Sequence, residues 1–357
     1  MSEEKIGRHR EAIDRLDDQL LKLLSERSQH VQEVGRIKGP TAQKHRPDRE
    51  AEILRRMVAD NPGPLSADAV RAIWREIISQ SMALEQRLNI AYLGPAGTFS
   101  HVAAQQHFGT APNFAPCASI DEVFHQCESA VTDFAVVPVE NSTEGAVGRT
   151  LDLLLQTPLE ICAEVVLRVR QNLMRKGDSL AGIARVYSHA QSLAQCHDWL
   201  SRHLPQAERI QVTSNAEAAR LASAEPDAAA VGPALAAQLY GLSVLAPDIE
   251  DEPNNATRFL VLGRVKSNPT GQDITSLIVS APNRPGAVHE MLTPIAKNGI
   301  SMSRIESRPS RQARWEYMFY IDLLGHAEEE ALSAALAELK TIVPFMKVLG
   351  SYAMAPR

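Results

Sequence analysis

Apolar positions in the first 88 residues recur with the period of a helix, and later ones cluster in short runs. Between Gly7 and Lys38, positions 10, 13, 17, 20, 24, 27, 31, 34 and 38 alternate steps of three and four, which defines one buried stripe on a long helix. Breaks at Gly39-Pro40 and Asn61-Pro62-Gly63-Pro64 predict two further helices, Pro47 to Asp60 and Ser66 to about Leu88. From Asn89 to about Gly263 the pattern changes: strands such as Ile90 to Leu93, Phe134 to Val139 and Ala228 to Val231 alternate with Ala-rich helical stretches, which predicts a parallel α/β sheet. A polar linker, Lys266 to Gln272, precedes a strand-helix-strand-strand-helix-strand order running from Ile274 to Tyr352, with its third strand starting at Trp315. That order is a ferredoxin-like α+β unit. The expected units are therefore 1–88, all-helical; 89–265, α/β; and 273–352, α+β.

Composition narrows the function classes. The chain of 357 residues carries a formal charge of −6, and no run approaches the roughly 18 apolar residues of a membrane span. Residues 1–88 hold 16 Lys and Arg against 15 Asp and Glu, so no basic body for nucleic acid exists there. The four cysteines lack metal or redox spacing and the charged N-terminus lacks the core of a signal peptide. These features predict a cytoplasmic protein without metal, acting on small molecules.

The stripe of the first helix contains charges in the wrong place. Arg10, Asp17, Arg27 and Lys38 interrupt Ile13, Leu20, Leu24, Val31 and Val34. Such cations either snorkel and pair with Asp17, Glu50 and Glu85, or meet an anionic ligand. Arg27 and Lys38 lie about 16 Å apart on nearly the same side, within reach of one small dianion, whereas Arg10 is about 25 Å from Arg27 along the helix. For Arg10 to serve the same pocket it must come from a second, antiparallel chain, and a long helix with so little bundle favours an intertwined dimer. Ser81 and Glu85 share the inward face of the third helix, and Glu50, Arg46 and Arg49 head the second.

Arg10-Glu-x-Ile-Asp-x-Leu-Asp17, Leu-Leu-x-Leu-Leu-x-Glu-Arg27, Glu-Val-Gly-x-x-Lys38 and x-Arg-Pro-x-Arg49-Glu50 resemble the all-helical chorismate mutases. The resemblance implies that Arg10 from a partner chain, Arg27 and Lys38 bind the substrate carboxylates and ether oxygen, with Arg46, Arg49 and Ser81 lining the site and Glu50 holding the ring hydroxyl. Arg46 stands where some relatives have Asp, and Glu85 where many have Gln. A Claisen rearrangement needs only confinement of the reactive conformer and donors at the ether oxygen, which Lys38 and a protonated Glu85 can supply without any cofactor.

In the α/β region, polar turns follow strands at Leu93-Gly-Pro-Ala-Gly-Thr98-Phe-Ser100, Val137-Pro-Val-Glu140-Asn141-Ser142, Val186-Tyr-Ser188-His189-Ala-Gln191 and Asn255-Ala-Thr257-Arg258-Phe259. Four such turns at strand ends predict a cleft between two lobes, which suits a binding-protein-like receptor and an enzyme equally. The same four motifs resemble the prephenate dehydratases, whose fold is two-lobed and periplasmic-binding-protein-like. The resemblance makes Thr257 the essential hydroxyl; Thr98, Ser100, Asn141, Ser142, Ser188, Gln191 and Phe259 are candidate orienting groups. Arg258 either serves the side-chain carboxylate or makes a structural ion pair.

Two motifs in the last unit, Asn283-Arg-Pro285-Gly286-Ala287-Val288-His and Glu306-Ser307-Arg308-Pro309, resemble the ACT module that binds phenylalanine. Together the three resemblances imply an enzyme converting chorismate through prephenate to phenylpyruvate under phenylalanine feedback, as a homodimer or higher homo-oligomer. The rival is a non-catalytic amino-acid sensor built from the cleft and the ACT module.

Overall fold

A computed structural model describes residues 2–39, 45–309 and 317–355. Three helices come first: α1 (Ser2–Lys38), α2 (Pro47–Ala59) and α3 (Ala67–Ala83). Glu3 and Glu4 in the first turn of α1 complement its dipole, and the helix starts five residues earlier than the apolar stripe indicates. Pro47 opens α2, and the Ser66 hydroxyl accepts from the Ala69 N–H to cap α3. α3 is shorter than expected at its C-terminal end. Leu88 is buried in the neighbouring sheet core, and its carbonyl accepts from Asn113 N–H, so the chain leaves the helix after Ala83. The predicted break at Pro40 lies outside the described residues. α1 rests chiefly on α3, and its apolar stripe stays open: Ile13, Leu16, Leu20 and Leu23 are each more than half exposed.

The α/β region forms two lobes. The first holds β1 (Asn89–Leu93), α4 (Phe99–Phe108), β2 (Asn113–Cys117), α5 (Ile120–Glu128), β3 (Phe134–Asn141), β4 (Gly145–Ala146), α6 (Gly148–Gln156) and β5 (Glu160–Arg168). The chain then crosses to a second lobe of β6 (Asn172–Arg175), β7 (Arg185–His189), α7 (Ala190–Gln195), α8 (His197–His203), β8 (Glu208–Val212), α9 (Asn215–Ala224), β9 (Ala228–Gly232), α10 (Ala234–Tyr240) and β10 (Ser243–Ala246). It returns to the first lobe as β11 (Ala256–Gly263), which inserts between β3 and β5. The strand orders are β2-β1-β3-β11-β5, with β4 on β3, and β10-β6-β9-β7-β8. Both sheets are mixed, which corrects the expectation of a parallel sheet: β11 runs antiparallel to both neighbours, and β6 antiparallel to β9 and β10. Apolar runs buried on both faces read alike in either direction, so pattern alone does not reveal the returning strand.

The last unit is β12 (Asp273–Ala281), α11 (Ala287–Lys297), β13 (Met302–Pro309), β14 (Tyr317–Leu324), α12 (Glu330–Ile342) and β15 (Met346–Ala353), in sheet order β13-β14-β12-β15. Trp315, the expected start of the third strand, lies outside the described residues. One face of this sheet packs on α11 and α12; the other shares a core with the first lobe, where Ile278, Tyr320 and Tyr352 meet Leu151, Leu154 and Ile161. At Gly350 (φ +152°) a side chain would run into the Ile161 backbone, so only glycine lets β15 lie this close to β5. The 266–272 connection is pinned: His326 Nε2 lies 3.0 Å from the Ser267 carbonyl, and Asn268 donates to Asp48 of α2. Among the described residues no helix is long and apolar enough to cross a membrane, and the four cysteines are buried and unpaired.

Candidate active sites

The helical segment gathers part of its expected site. Arg27 Nη1 donates to Ser81 Oγ at 2.6 Å, and Ser81 donates in turn to the Ile77 carbonyl. Burial between the helices lowers the Arg27 pKa. Glu85 sits in the turn after α3, against Gly35 of α1: a Cβ there would lie 2.6 Å from Glu85 Oε2, so the glycine makes room for the carboxyl. Lys38 is one turn beyond Gly35 and exposed; Arg10 is exposed far along the same helix.

Three assigned residues stand elsewhere. Glu50 is 7% exposed and ion-paired with His45 (3.0 Å) and Arg75 (2.7 Å), and the His45 ring packs on His107, Phe108 and Phe134 of the α/β region. Arg75 precedes Ser81 by six residues, which turns it about 120° around α3 from the Arg27 seam. Burial opposes the charge of Glu50, yet the charges of His45, Arg75 and His107 and the His45 hydrogen bond outweigh it and hold the pKa at about 2. Glu50 is thus held as a buried anion by His45 and Arg75 in this chain. Arg46 pairs with Asp48, and Arg49 is exposed.

In the α/β region, two strand ends meet where the lobes join. Thr257 and Asn141 are directly opposite on β11 and β3, and Asn141 Nδ2 donates to Thr257 Oγ1 at 2.8 Å. Asn141 is held by Asn255 Oδ1 and by accepting the Thr143 and Glu144 N–H groups, so its amide orientation is fixed. Because Thr257 Oγ1 accepts here, its own proton stays available to donate; no described residue takes it. Ser142 bonds Asn255 and the Ala256 N–H, which ties the turn to the lobe crossover. Thr98 caps α4 while bonding the Leu93 carbonyl, and Ser100 is buried in the first turn. Gly97 (φ +91°) lies against Ala236 of α10, so this turn touches the second lobe. His101 Nδ1 accepts from the Gly97 N–H and its ring stacks on Tyr92; burial lowers its pKa and favours this neutral, turn-holding role.

Across the junction, Ser188 is fully buried, donating to the Val231 carbonyl at 2.8 Å within a network around Asn215 and Ser192. Gln191 is half-buried in the first turn of α7. Phe259 is 2% exposed and packs in the first lobe's core. Arg258 projects from the opposite face of β11 to Thr257 and pairs with Glu164 (2.8 Å) and Asp322 (2.5 Å), the ion-pair arrangement of the two alternatives. Burial works against its charge, but Tyr352, Asp322 and Glu164 outweigh it and raise its pKa.

Family models match the three units in order: chorismate mutase type II at residues 9–86, prephenate dehydratase at 90–267 and the ACT domain at 275–341. A bifunctional chorismate mutase/prephenate dehydratase of Neisseria gonorrhoeae is 52% identical over 350 residues, spanning 97% of this chain and 96% of the relative. The chain belongs to the bifunctional chorismate mutase/prephenate dehydratases. A Pseudomonas aeruginosa protein of the same description is 48% identical over 96% of both chains. The solved prephenate dehydratase of Arthrobacter aurescens, in complex with L-Phe, is 38% identical, covers 75% of this chain and 90% of its own, and superposes with a TM-score of 0.69. This bifunctional enzyme therefore carries an isomerase unit and a carbon-oxygen lyase unit, followed by an ACT unit.

In that ACT unit, the two motif loops flank one end of the sheet. Tyr317 pairs with both Ala281 and Pro309, so the chain ends leading to Asn283–Val288 and from Glu306–Arg308 lie about two strand spacings apart. Asn283, Pro285, Gly286 and Val288 are exposed, Ala287 is buried, and Ser307 is exposed between half-buried Glu306 and Arg308. Arg308 reaches the dehydratase, 3.3 Å from Asp152 of α6.

Proposed function

We propose that the dehydratase step turns on Thr257 as a hydrogen-bond donor to the ring hydroxyl that leaves prephenate. Loss of carbon dioxide and that hydroxyl is driven by aromatisation, so the site need only stabilise the departing oxygen and avoid anchoring the carboxylate that departs. The observation that carries this reading is the Asn141–Thr257 hydrogen bond, in which the threonine oxygen accepts and so keeps its own proton to donate. Arg258, bound in two ion pairs, is free of that task.

The mutase pocket is shared between two chains. Arg27, Ser81, Glu85 and Lys38 line one side along α1 and α3, and Arg10 completes it from a partner whose α1 covers the exposed stripe of Ile13, Leu16 and Leu20. A homodimer follows as the smallest working unit, with 1–88, 89–265 and 273–352 as mutase, dehydratase and regulatory segments in a cytoplasmic enzyme. Phenylalanine binds the Asn283–Val288 and Glu306–Arg308 loops. Hydrogen exchange tests this: saturating phenylalanine should slow amide exchange at Glu306 to Arg308, and unchanged protection there would remove the effector from this site.

A further inference from the structure

Two cross-strand charge pairs face each other where the regulatory sheet lies on the dehydratase sheet. On β3 and β11, Glu140 and Arg258 are directly opposite; on β13 and β14, so are Arg304 and Asp322. Each cation meets the other sheet's anion: Arg258 Nη1 is 2.5 Å from Asp322 Oδ2, and Arg304 Nε is 2.7 Å from Glu140 Oε2. Ser276 and Tyr352 of the regulatory sheet add hydrogen bonds to Asp322 and Arg258. The cavity between the sheets, lined by Arg258, Arg304, Ser276 and Asp322, is about 10 Å³, room for no more than one water, so this seam holds no organic ligand.

Position makes this quartet more than a domain fastener. Glu140 and Arg258 immediately adjoin Asn141 and Thr257, whose side chains emerge on the other face. The β3–β11 ladder slips between Pro138 and Glu140, so the Asn141 end of β3 lies beyond a bulge, with β11 on one side and the short β4 on the other. The Glu140 carboxylate meets an arginine from another domain. We infer that Arg304 and Asp322 are positioning residues for the dehydratase reaction, fixing the Asn141–Thr257 hydrogen bond from behind through Glu140 and Arg258. β13 also carries Arg308 on the same face, four residues on, so displacement of this strand at the effector loops reaches the catalytic pair directly.

The inference rests on the assignment of Thr257 to the dehydratase reaction, and Thr257→Ala controls for it: substantial phenylpyruvate formation by that variant defeats the assignment itself. In the full-length enzyme, Arg304→Glu places an acid against Glu140 and should lower dehydratase kcat at least about tenfold, with KM changing less, because misplacement of a reacting group costs rate more than binding. Mutase kcat, measured on the same preparation, should stay within about twofold, since the two units share no reacting group. The exchange Arg304→Glu with Glu140→Arg should recover most of the loss. Asp322→Asn, which keeps the shape and removes the charge, gives a second reading if Arg304→Glu does not fold. Dehydratase kcat within about twofold of wild type in Asp322→Asn and Arg304→Glu, or an exchanged pair no better than Arg304→Glu, would overturn the inference.

Discussion

The mutase and dehydratase units differ in what covers their working surfaces. α1 leaves Leu16, Leu20 and Leu23 mostly exposed and carries Arg10 far from the Arg27–Ser81 contact, the basis of the proposal that the mutase pocket is shared between chains. Asn141 and Thr257, by contrast, are held by partners from their own chain at the lobe junction, and the ACT sheet shares the first lobe's core behind them. In the proposed reading, the site built on one extended helix borrows from a second copy, whereas the site at the strand ends is held within one chain.

The largest expected effect separates the two units outright. Thr257→Ala should reduce phenylpyruvate formation by about a thousandfold, in the range seen when a donor to the developing charge is removed, while chorismate consumption persists. Assays of both steps on one preparation check this, and joint loss in a folded protein would show that the sites are not independent.

Next in size is the seam between them. Glu50→Gln leaves Arg75 buried without its counter-charge and should destabilise the helical segment by about 3 kcal/mol. The sign with pH follows from its depressed pKa. The folded carboxyl titrates at about 2 against an ordinary 4.5, so its stabilisation is complete above 4.5 and fades as pH falls toward 2. Urea unfolding at stepped pH should show wild type losing stability over that window and Glu50→Gln losing less. Parallel curves would mean that Glu50 is not the buried anion of this seam.

A smaller change concerns Glu85. As a carboxylate it repels a dianionic substrate and cannot donate to the ether oxygen; as a neutral acid it can. Glu85→Gln supplies a permanent N–H donor of similar shape and should preserve or raise mutase activity, whereas Glu85→Ala should lower it. Equal activity of the two variants, read with the dehydratase silenced by Thr257→Ala, would assign the donor to another group.

The legible features were those written within one element. The stripe of α1, the strand-end turns and the βαββαβ order all follow from local periodicity and turn chemistry. What sequence reading missed depends on strands brought together from afar. β11 was recognised for Thr257 and Arg258, but its insertion between β3 and β5 follows from a chain return that no local pattern records. Glu50 fits a ligand motif, and its pairing with Arg75, 25 residues on, is a contact that no local pattern records. Asp322 carried a weak signal, a lone charge on an otherwise apolar strand of the kind that demands a partner, whereas Arg304 is one of three charges on β13. The missing knowledge was which partner.

Subunit mixing tests the contrast between the two sites most directly. Arg10→Ala and Arg27→Ala chains, each inactive as mutases, are unfolded together, refolded at equal amounts and assayed. In random pairing half the dimers are mixed and each mixed dimer has one pocket with both arginines, so mutase activity should return to about a quarter of wild type. Thr257→Ala mixed with Asn141→Ala in the same way should recover no dehydratase activity, because both side chains of that pair belong to one chain. Absence of mutase recovery despite verified exchange of chains, or recovery of the dehydratase, would contradict a shared mutase pocket beside a self-contained dehydratase site.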